Sequence, residues 1–150
     1  MMNKWFLLLV ACFFISSGCE KESGSTEYVS TEENEVIRLV NNERLKAGVA
    51  PLEMDLSLMQ SCNIRAEELT IQFSHVRPNG TTCFSVIEFA SKASGENIAR
   101  GQVDASSVMS SWMNSEGHRN NILNPNFTHI GVGYTLKNNT AHWVQLFVRK

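Results

Sequence analysis

The chain has 150 residues, 43% of them hydrophobic and 19% charged, and its formal net charge is −2 at pH 7. This length and composition suit one globular domain with a sizeable hydrophobic core. The basic residues form no continuous stripe and the net charge is slightly negative, so the sequence lacks the electrostatic footprint of a nucleic-acid-binding protein, and no nucleic-acid partner is expected.

Residues 1–18 have the pattern of a secretory signal peptide. Lys4 precedes an apolar run over residues 5–15, and small residues then lead to Cys19. The run is shorter than the ~20 apolar residues that span a bilayer, which favours a cleaved signal over a permanent membrane helix. The junction resembles a bacterial lipobox, in which the cysteine carries lipid such as palmitate, although Ser16 stands where that motif usually has an aliphatic residue. Lipidation of Cys19 is the favoured prediction, and plain cleavage that releases a soluble protein is the alternative.

Residues 20–30 are rich in Glu, Ser, Thr and Gly and contain almost no apolar side chains. Such a segment cannot bury enough surface to offset the entropy of ordering, so it predicts a flexible spacer. A lipid on Cys19 would then anchor the protein to a membrane, and the spacer would hold the domain off its surface. The predicted organisation is a signal peptide over 1–18, a lipidated cysteine and spacer over 19–31, and one domain over 32–150.

The first part of the domain shows the periodicity of α-helices. One helix is predicted over residues 31–47, because Ser30 and Glu33 form a capping box at its start and Gly48 ends it. A second helix begins after Asp55. The apolar positions along one of its faces are spaced by three and four residues: Met59, Cys62, Ala66, Leu69 and Phe73.

The second helix would deliver His75 just beyond its end, where residues 78–80 turn the chain. A third helix is predicted from Asp104 to Asn114, and residues 117–123 are expected to form a short helical turn. The run over residues 95–99 is polar and contains glycine, and loops beside glycine tend to present side chains such as that of Glu96, so a loop is expected there.

The last part of the chain changes to the two-residue period of β-strands. Residues 130–136 alternate in side-chain size, with Gly131 and Gly133 leaving one face nearly bare. A turn over residues 137–140 and a second strand over 143–149 complete a predicted hairpin. The bare face would allow a helix or loop to approach closely. Helices first and strands last predict an α+β fold.

Cys62 and Cys83 are the cysteines that remain once the signal peptide and Cys19 are accounted for. An even pair in an exported chain permits a disulfide, which is the prediction adopted here. The alternative is two buried free thiols, since cysteine is among the most buried residue types.

Several sequence runs occur in a fixed order along the chain. They are AGVAPL over 47–52, FSH over 73–75, GENIA over 95–99, WMNS over 112–115, GHR over 117–119, IGVGY over 130–134 and WVQ over 143–145. Together they resemble the bacterial branch of the CAP superfamily, which groups cysteine-rich secretory proteins, antigen 5 and plant pathogenesis-related proteins. The resemblance covers residues 32–150 and implies a three-layer α-β-α sandwich with a small antiparallel sheet.

The resemblance also implies that His75, Glu96 and His118 converge in one cleft. Imidazole and carboxylate groups ligate Zn²⁺, and three protein ligands with an open position are typical of catalytic zinc sites. Relatives outside the bacterial branch often have a second glutamate three residues after Trp112, where this chain has Ser115. The cleft is therefore expected to bind a divalent metal or another ligand only weakly. Purely structural hydrogen bonding by the same residues remains the alternative.

The sequence is compatible with three functions. The favoured hypothesis is a non-enzymatic lipoprotein of the cell envelope or outer surface, anchored through Cys19, which binds a protein, lipid, small molecule or divalent ion through its surface or cleft. A metal-dependent hydrolase would use the three cleft residues, but no nucleophile elbow accompanies them. A lipid or sterol carrier would use apolar side chains of the loop over residues 84–93, although such residues are more often part of a core.

Overall fold

The computed structural model describes residues 29–150. Its elements are α1 (Thr31–Lys46), β1 (Glu53–Met54), α2 (Leu56–Leu69), a 3-10 helix (Cys83–Val86), β2 (Ala93–Arg100), α3 (Ala105–Asn114), α4 (Glu116–Ile122), β3 (His129–Lys137) and β4 (Thr140–Arg149). The predicted signal peptide, lipidated Cys19 and most of the spacer lie outside the described residues. Within residues 29–150, none of the helices is long and apolar enough to cross a membrane.

Local sequence signals set the starts of the first two helices, as predicted. The Ser30 hydroxyl accepts a hydrogen bond from the Glu33 amide at 3.2 Å, and the Glu33 carboxylate accepts one from the Ser30 amide at 2.8 Å. This is a capping box, which satisfies amide groups that the first turn of a helix leaves free. Asp55 caps α2 by accepting from the Leu58 amide at 2.8 Å.

The predicted extent of the second helix is wrong at its C-terminal end. α2 ends at Leu69, so Phe73 lies beyond the helix and is 41% exposed rather than part of its buried face. The amides of Ile71 and Gln72 both donate to the carbonyl of Glu68, which closes a turn after the last helical residue. His75 therefore stands on a loop several residues beyond the helix.

The strands form one four-stranded sheet in the order β1-β3-β4-β2. The predicted β3–β4 hairpin is confirmed, and Asn138 and Asn139 make its tight turn with φ values of 50° and 58°. β1 runs parallel to β3, so the sheet is mixed rather than purely antiparallel as expected. The parallel pair forms because the Glu53 amide donates to the carbonyl of Thr128 at 3.0 Å as the chain passes the start of β3.

The structure corrects the prediction of a loop over residues 95–99. This run lies within β2, which pairs along its whole length with β4, from Ala93 opposite Arg149 to Arg100 opposite His142. The strand was missed because polar side chains such as Glu96 are buried in it. Alternation of apolar and polar residues, the usual signal for a half-buried strand, is therefore absent.

Helices cover both faces of the sheet, which confirms the α+β three-layer sandwich. α2 packs on one face, where its residues Leu58, Cys62 and Ala66 share an apolar cluster with Val144, Leu146 and Val148 of β4. α1 and α3 pack on the other face, and the main buried residues there are Val36, Val40, Val108, Trp112, Ile130, Trp143 and Phe147.

The predicted close approach to the glycine face of β3 is confirmed. A Cβ atom at Gly131 would lie 2.5 Å from the carbonyl oxygen of Leu58, and one at Gly133 would lie 2.3 Å from the carbonyl oxygen of Cys62. Only glycine permits the backbone of α2 to pack this closely on the strand.

The structure also corrects the predicted Cys62–Cys83 disulfide, because both cysteines are buried free thiols. Each thiol has a separate environment. Cys62 packs between α2 and the sheet, where burial raises the pKa of its thiol. Cys83 opens the 3-10 helix, and its thiol lies beside Glu96.

Candidate functional site

Two of the predicted cleft residues are in direct contact at one edge of the sheet. The Nδ1 atom of His75 lies 2.6 Å from Oε2 of Glu96. Glu96 belongs to the edge strand β2, and His75 comes from the loop that follows α2. The Glu96 side chain is only 1% exposed, whereas the His75 side chain is 59% exposed. A buried carboxylate therefore orients an imidazole ring that remains open to solvent.

A buried arginine holds the other oxygen of this carboxylate. Nε of Arg65 donates to Oε1 of Glu96 at 2.9 Å, and the remaining guanidinium nitrogens bond to Glu68 and to the carbonyl of Ser74, each at 2.8 Å. Burial acts to lower the pKa of Arg65, but its bonds to the two carboxylates outweigh that effect and raise it. Both oxygens of Glu96 thus have partners.

A second arginine ties down the loop that carries His75. Arg77 donates to both oxygens of Glu68 at distances of 2.7 to 3.1 Å. Burial acts to raise the pKa of Glu68, but its bonds to Arg77 and Arg65 outweigh that effect and lower it. The Gly80 amide closes the predicted turn by donating to the Arg77 carbonyl at 2.8 Å. The loop is therefore anchored to α2 through charged hydrogen bonds.

His118 reaches the same edge of the sheet from α4. Its pKa is lowered, first by burial and then by the nearby charge of His75. The carbonyl of His118 accepts a hydrogen bond from the Asn97 side chain at 3.1 Å. The amide of Asn97 is itself buried between Gln145, at 3.0 Å, and Asn121, at 2.9 Å. This chain of buried amides fixes α4 against the sheet, as satisfied polar groups do in a core.

The edge strand explains how these groups meet. Successive side chains of a strand point to opposite faces, so Glu96 faces α2 while Asn97 faces α4. His75 consequently meets β2 on the face that α2 covers, and the backbone of His118 meets it on the other face. His75 and Glu96 are thus in direct contact, whereas His118 adjoins the strand through its backbone carbonyl, and the charge of His75 acts on its ring.

Cys83 is a further group at the site, and the sequence reasoning did not place it there. Donor atoms of His75, Cys83 and Glu96 all lie within 4.8 Å of one another. Burial, followed by the charge of Glu96, raises the pKa of the Cys83 thiol to about 12. The thiol is therefore protonated at neutral pH and is a poor nucleophile.

The two serines near the histidines have structural positions. The Ser74 hydroxyl accepts a hydrogen bond from the Val76 amide at 3.0 Å, which is a local turn contact. Ser115 occupies the N-terminal cap position of α4. In the part of the chain that the structure describes, neither hydroxyl is bonded to an imidazole, so no serine–histidine pair of the kind that activates a nucleophile is formed.

Arg65 is the site residue that the sequence could have revealed. It lies between Cys62 and Ala66 on α2 and is 0% exposed. A charged residue among the buried positions of a helix requires a buried partner, which here is Glu96. The identity of that partner could not be read from spacing, because it lies on a distant strand.

Comparison with known proteins places this chain in a wider group. The family model described as "Cysteine-rich secretory protein family" (CAP) matches residues 37–147. The chain is 42% identical to the uncharacterised protein YkwD of Bacillus subtilis over 127 residues, which cover 81% of the chain and 49% of that protein. It is 33% identical to the membrane protein YlbC of the same organism over 121 residues, which cover 77% and 35%. The chain thus spans about half or less of the length of these relatives.

Two solved structures resemble this fold. An extracellular protein of Bacillus anthracis that contains an SCP domain matches with a TM-score of 0.73 and 29% identity, over 79% of this chain and 40% of that one. An outer surface protein of Borrelia burgdorferi matches with a TM-score of 0.71 and 23% identity, over 78% and 91%. At that identity the second likeness shows the fold alone.

Proposed function

This chain belongs to the cysteine-rich secretory protein (CAP) family, and we propose that it is an exported, lipid-anchored binding protein of the cell envelope whose His75–His118 cleft takes a divalent metal ion such as Zn²⁺. The protein acts by binding rather than by catalysis in this proposal. The ion would leave coordination positions open for donor atoms of a protein, lipid or small-molecule partner.

The contact between Glu96 and Nδ1 of His75 is the observation that carries this proposal. A histidine that ligates a metal usually donates its second ring nitrogen to a carboxylate, which fixes the tautomer and the direction of the ring. With Nδ1 engaged, Nε2 of the exposed His75 ring is the donor left for an ion. Glu96 then acts as an orienting group rather than as a ligand.

His118 fits the role of second ligand. Its lowered pKa keeps the imidazole neutral at pH 7, and only the neutral ring ligates a metal. Imidazole donors suit Zn²⁺ and other transition metals better than Ca²⁺ or Mg²⁺, which prefer oxygen. Two protein ligands bind more weakly than the four of a structural zinc site. We expect a dissociation constant on the order of micromolar or weaker.

Cys83 offers an alternative set of donors with His75 and Glu96. Two features disfavour that set. Both oxygens of Glu96 already have hydrogen-bond partners, and the Cys83 thiol would have to lose a proton that burial and Glu96 retain. Binding by His75 and His118 requires neither the loss of a Glu96 hydrogen bond nor the deprotonation of Cys83.

Calorimetric titration with Zn²⁺ tests the metal site. At pH 7.5 we expect His75→Ala and His118→Ala each to weaken binding by at least about tenfold, equivalent to ~1.4 kcal/mol. Cys83→Ser should leave the affinity unchanged. Binding by the unaltered protein should weaken at pH 5.5, because protons compete with the ion for the imidazoles.

His129→Ala is the matched control, since this histidine lies at the start of β3 and bonds to Thr128. Equal binding by all variants would place the ion elsewhere. A loss confined to Cys83→Ser would assign the site to the thiol set. The absence of binding at either pH would leave the cleft residues with a structural role only.

The lipid anchor is tested separately from the cleft. Incorporation of radioactive palmitate by cells that express the full chain is expected for the unaltered sequence and not for Cys19→Ala. Cys19→Ala should also leave the membrane fraction, because the domain would retain no acyl chain. Cys12→Ala, within the predicted signal, serves as the control and should label normally. Equal labelling of the Cys19→Ala protein would contradict the proposal.

A further inference from the structure

A cavity with a strongly basic lining opens at the hairpin end of the sheet. Its volume is about 270 Å³. The lining residues come from the end of α2 and from three strands or their connecting turn: Thr70, Arg100, Lys137, Asn138, Thr140 and His142. None of them belongs to the His75–His118 cleft.

Two positive charges line this cavity, and within residues 29–150 neither is part of an ion pair. Arg100 lies with its guanidinium 5.0 Å from the centre of the Phe73 ring, and Nζ of Lys137 donates to the Thr70 hydroxyl at 3.2 Å. These partners are neutral, and neither base forms an ion pair with any residue in the described range 29–150. Two cations that share a cavity repel each other unless an anion joins them.

A buried imidazole with an unsatisfied nitrogen lies between the same strands. His142 is 6% exposed, and within residues 29–150 its buried Nδ1 atom has no hydrogen-bond partner of good geometry. His142 stands directly opposite Arg100 in the β2–β4 ladder, so the two side chains share one face of the sheet. A buried polar atom without a partner costs free energy, and such an atom in a native fold calls for a missing partner.

The groups around His142 come from every element packed against it. Burial is the main cause that lowers its pKa, and the charges of Arg100 on β2 and Lys137 on β3 act in the same direction. The backbone of Thr140 and the carboxylate of Glu67 on α2 act in the opposite direction. His142 is therefore neutral at pH 7, and an anion placed beside it would favour the protonated ring.

We propose that this cavity binds the phosphate group of a phosphomonoester, with Arg100 and Lys137 neutralising its charge and His142 closing the site. Guanidinium and ammonium groups are the preferred partners of phosphate oxygens, and the hydroxyl of Thr140 and the amide of Asn138 supply neutral donors. The carboxylate of Glu67, whose charge acts on His142, accepts a hydrogen bond from the hydroxyl of Thr135.

The phosphate could belong to a soluble molecule or to a lipid headgroup. Exposed apolar side chains adjoin the cavity lining in the chain: Ile71 follows Thr70 and is 74% exposed, and Leu136 precedes Lys137 and is 60% exposed. Apolar side chains beside basic ones are typical of surfaces that touch anionic membranes. The experiment must therefore distinguish the two sources.

Calorimetric titration of the full chain with glycerol phosphate at pH 7.5 is the first test. We expect Arg100→Gln and Lys137→Gln each to weaken binding by at least about tenfold, because each removes a charge-assisted contact. Arg149→Gln is the control, because it removes one positive charge at the end of β4 that lies away from the cavity residues Thr140 and His142. It should change the affinity less than about twofold, as expected of a distant and solvent-screened charge. Both cavity bases are exposed, so these variants should fold normally.

Sulfate tests the part assigned to His142, because the charge of sulfate does not change between pH 5.5 and 7.5. The folded-state pKa of His142 lies below its ordinary value and rises when an anion binds. Sulfate affinity should therefore increase as the pH falls to 5.5. His142→Asn should remove this increase. A sulfate affinity that is equal at both pH values in the unaltered protein would overturn the role of His142.

Vesicle sedimentation separates the two sources of phosphate. The probes are vesicles of phosphatidylcholine alone and vesicles that also contain phosphatidic acid. Binding only to the acidic vesicles, with loss in Arg100→Gln but not Arg149→Gln, assigns the site to a lipid headgroup. Binding of glycerol phosphate without vesicle binding assigns it to a soluble ligand. No binding of either probe, or equal losses in the cavity and control variants, would overturn the proposal.

Discussion

Gly133→Ala is expected to destabilise the domain by about 3 kcal/mol or more, at the upper end of the cost of overpacking. The added methyl group would lie 2.3 Å from the carbonyl oxygen of Cys62 and 2.9 Å from the amide of Asn63. These are backbone atoms of α2, so no side-chain rotation can make room. The helix would have to move away from the sheet and lose contacts along the whole face that it covers.

Equilibrium unfolding in urea, followed by circular dichroism, measures this effect as a lower midpoint of the transition. Gly117→Ala is the matched control, since a Cβ atom there meets nothing within 4 Å and the residue lies in α4. Alanine favours helix over glycine by roughly 0.5–1 kcal/mol, so the control should be neutral or slightly stabilising. An unchanged midpoint for Gly133→Ala would refute the close packing of α2 on β3.

Arg65→Met is expected to cost about 3–5 kcal/mol, because it leaves a buried carboxylate without its partner. The side chains of Arg65 and Glu96 are 0% and 1% exposed, and their atoms meet at 2.9 Å. The substitution also removes the hydrogen bond to the carbonyl of Ser74, which helps to hold the loop that carries His75. Stability and Zn²⁺ affinity should therefore both fall.

A double-mutant cycle separates the ion pair from the rest of this network. Glu96→Leu added to Arg65→Met removes the uncompensated charge, so the double variant should be more stable than Arg65→Met alone. Arg38→Met is the control, because Arg38 forms an exposed pair with Glu35 on α1 and solvent screens it. Urea midpoints near the unaltered value for Arg65→Met would show that the buried pair contributes little. Such a result would contradict the prediction.

The elements that the sequence predicted correctly depend on residues close to one another in the chain. The capping box joins Ser30 to a residue three positions away, and the hairpin turn uses two asparagines between strands that pair directly. The glycines of β3 predicted that another element packs closely on this strand, but they did not indicate which element. In the structure that element is α2, which covers the face of the strand that Gly131 and Gly133 leave bare.

The elements that the sequence missed depend on contacts between distant residues. Glu96 and Asn97 lie in β2 and are buried. Polar residues are more common in loops than in buried strands, so the sequence of this segment indicated a loop. These side chains are stable in a buried strand only because Arg65, Asn121 and Gln145 reach them from other elements. No local pattern contains that information, since burial of a polar group is decided by its partners.

The sequence by itself determined the helices and the hairpin through periodicity and caps, and the family resemblance led to the expectation that His75, Glu96 and His118 share one cleft. Only the tertiary structure decided what these groups do there. It pairs Glu96 with Arg65 across 31 positions of the chain and with His75 across 21, and it brings Cys83 beside them as a free thiol. Periodicity and caps act between near neighbours, whereas the charge, burial and orientation of a side chain depend on every element packed around it.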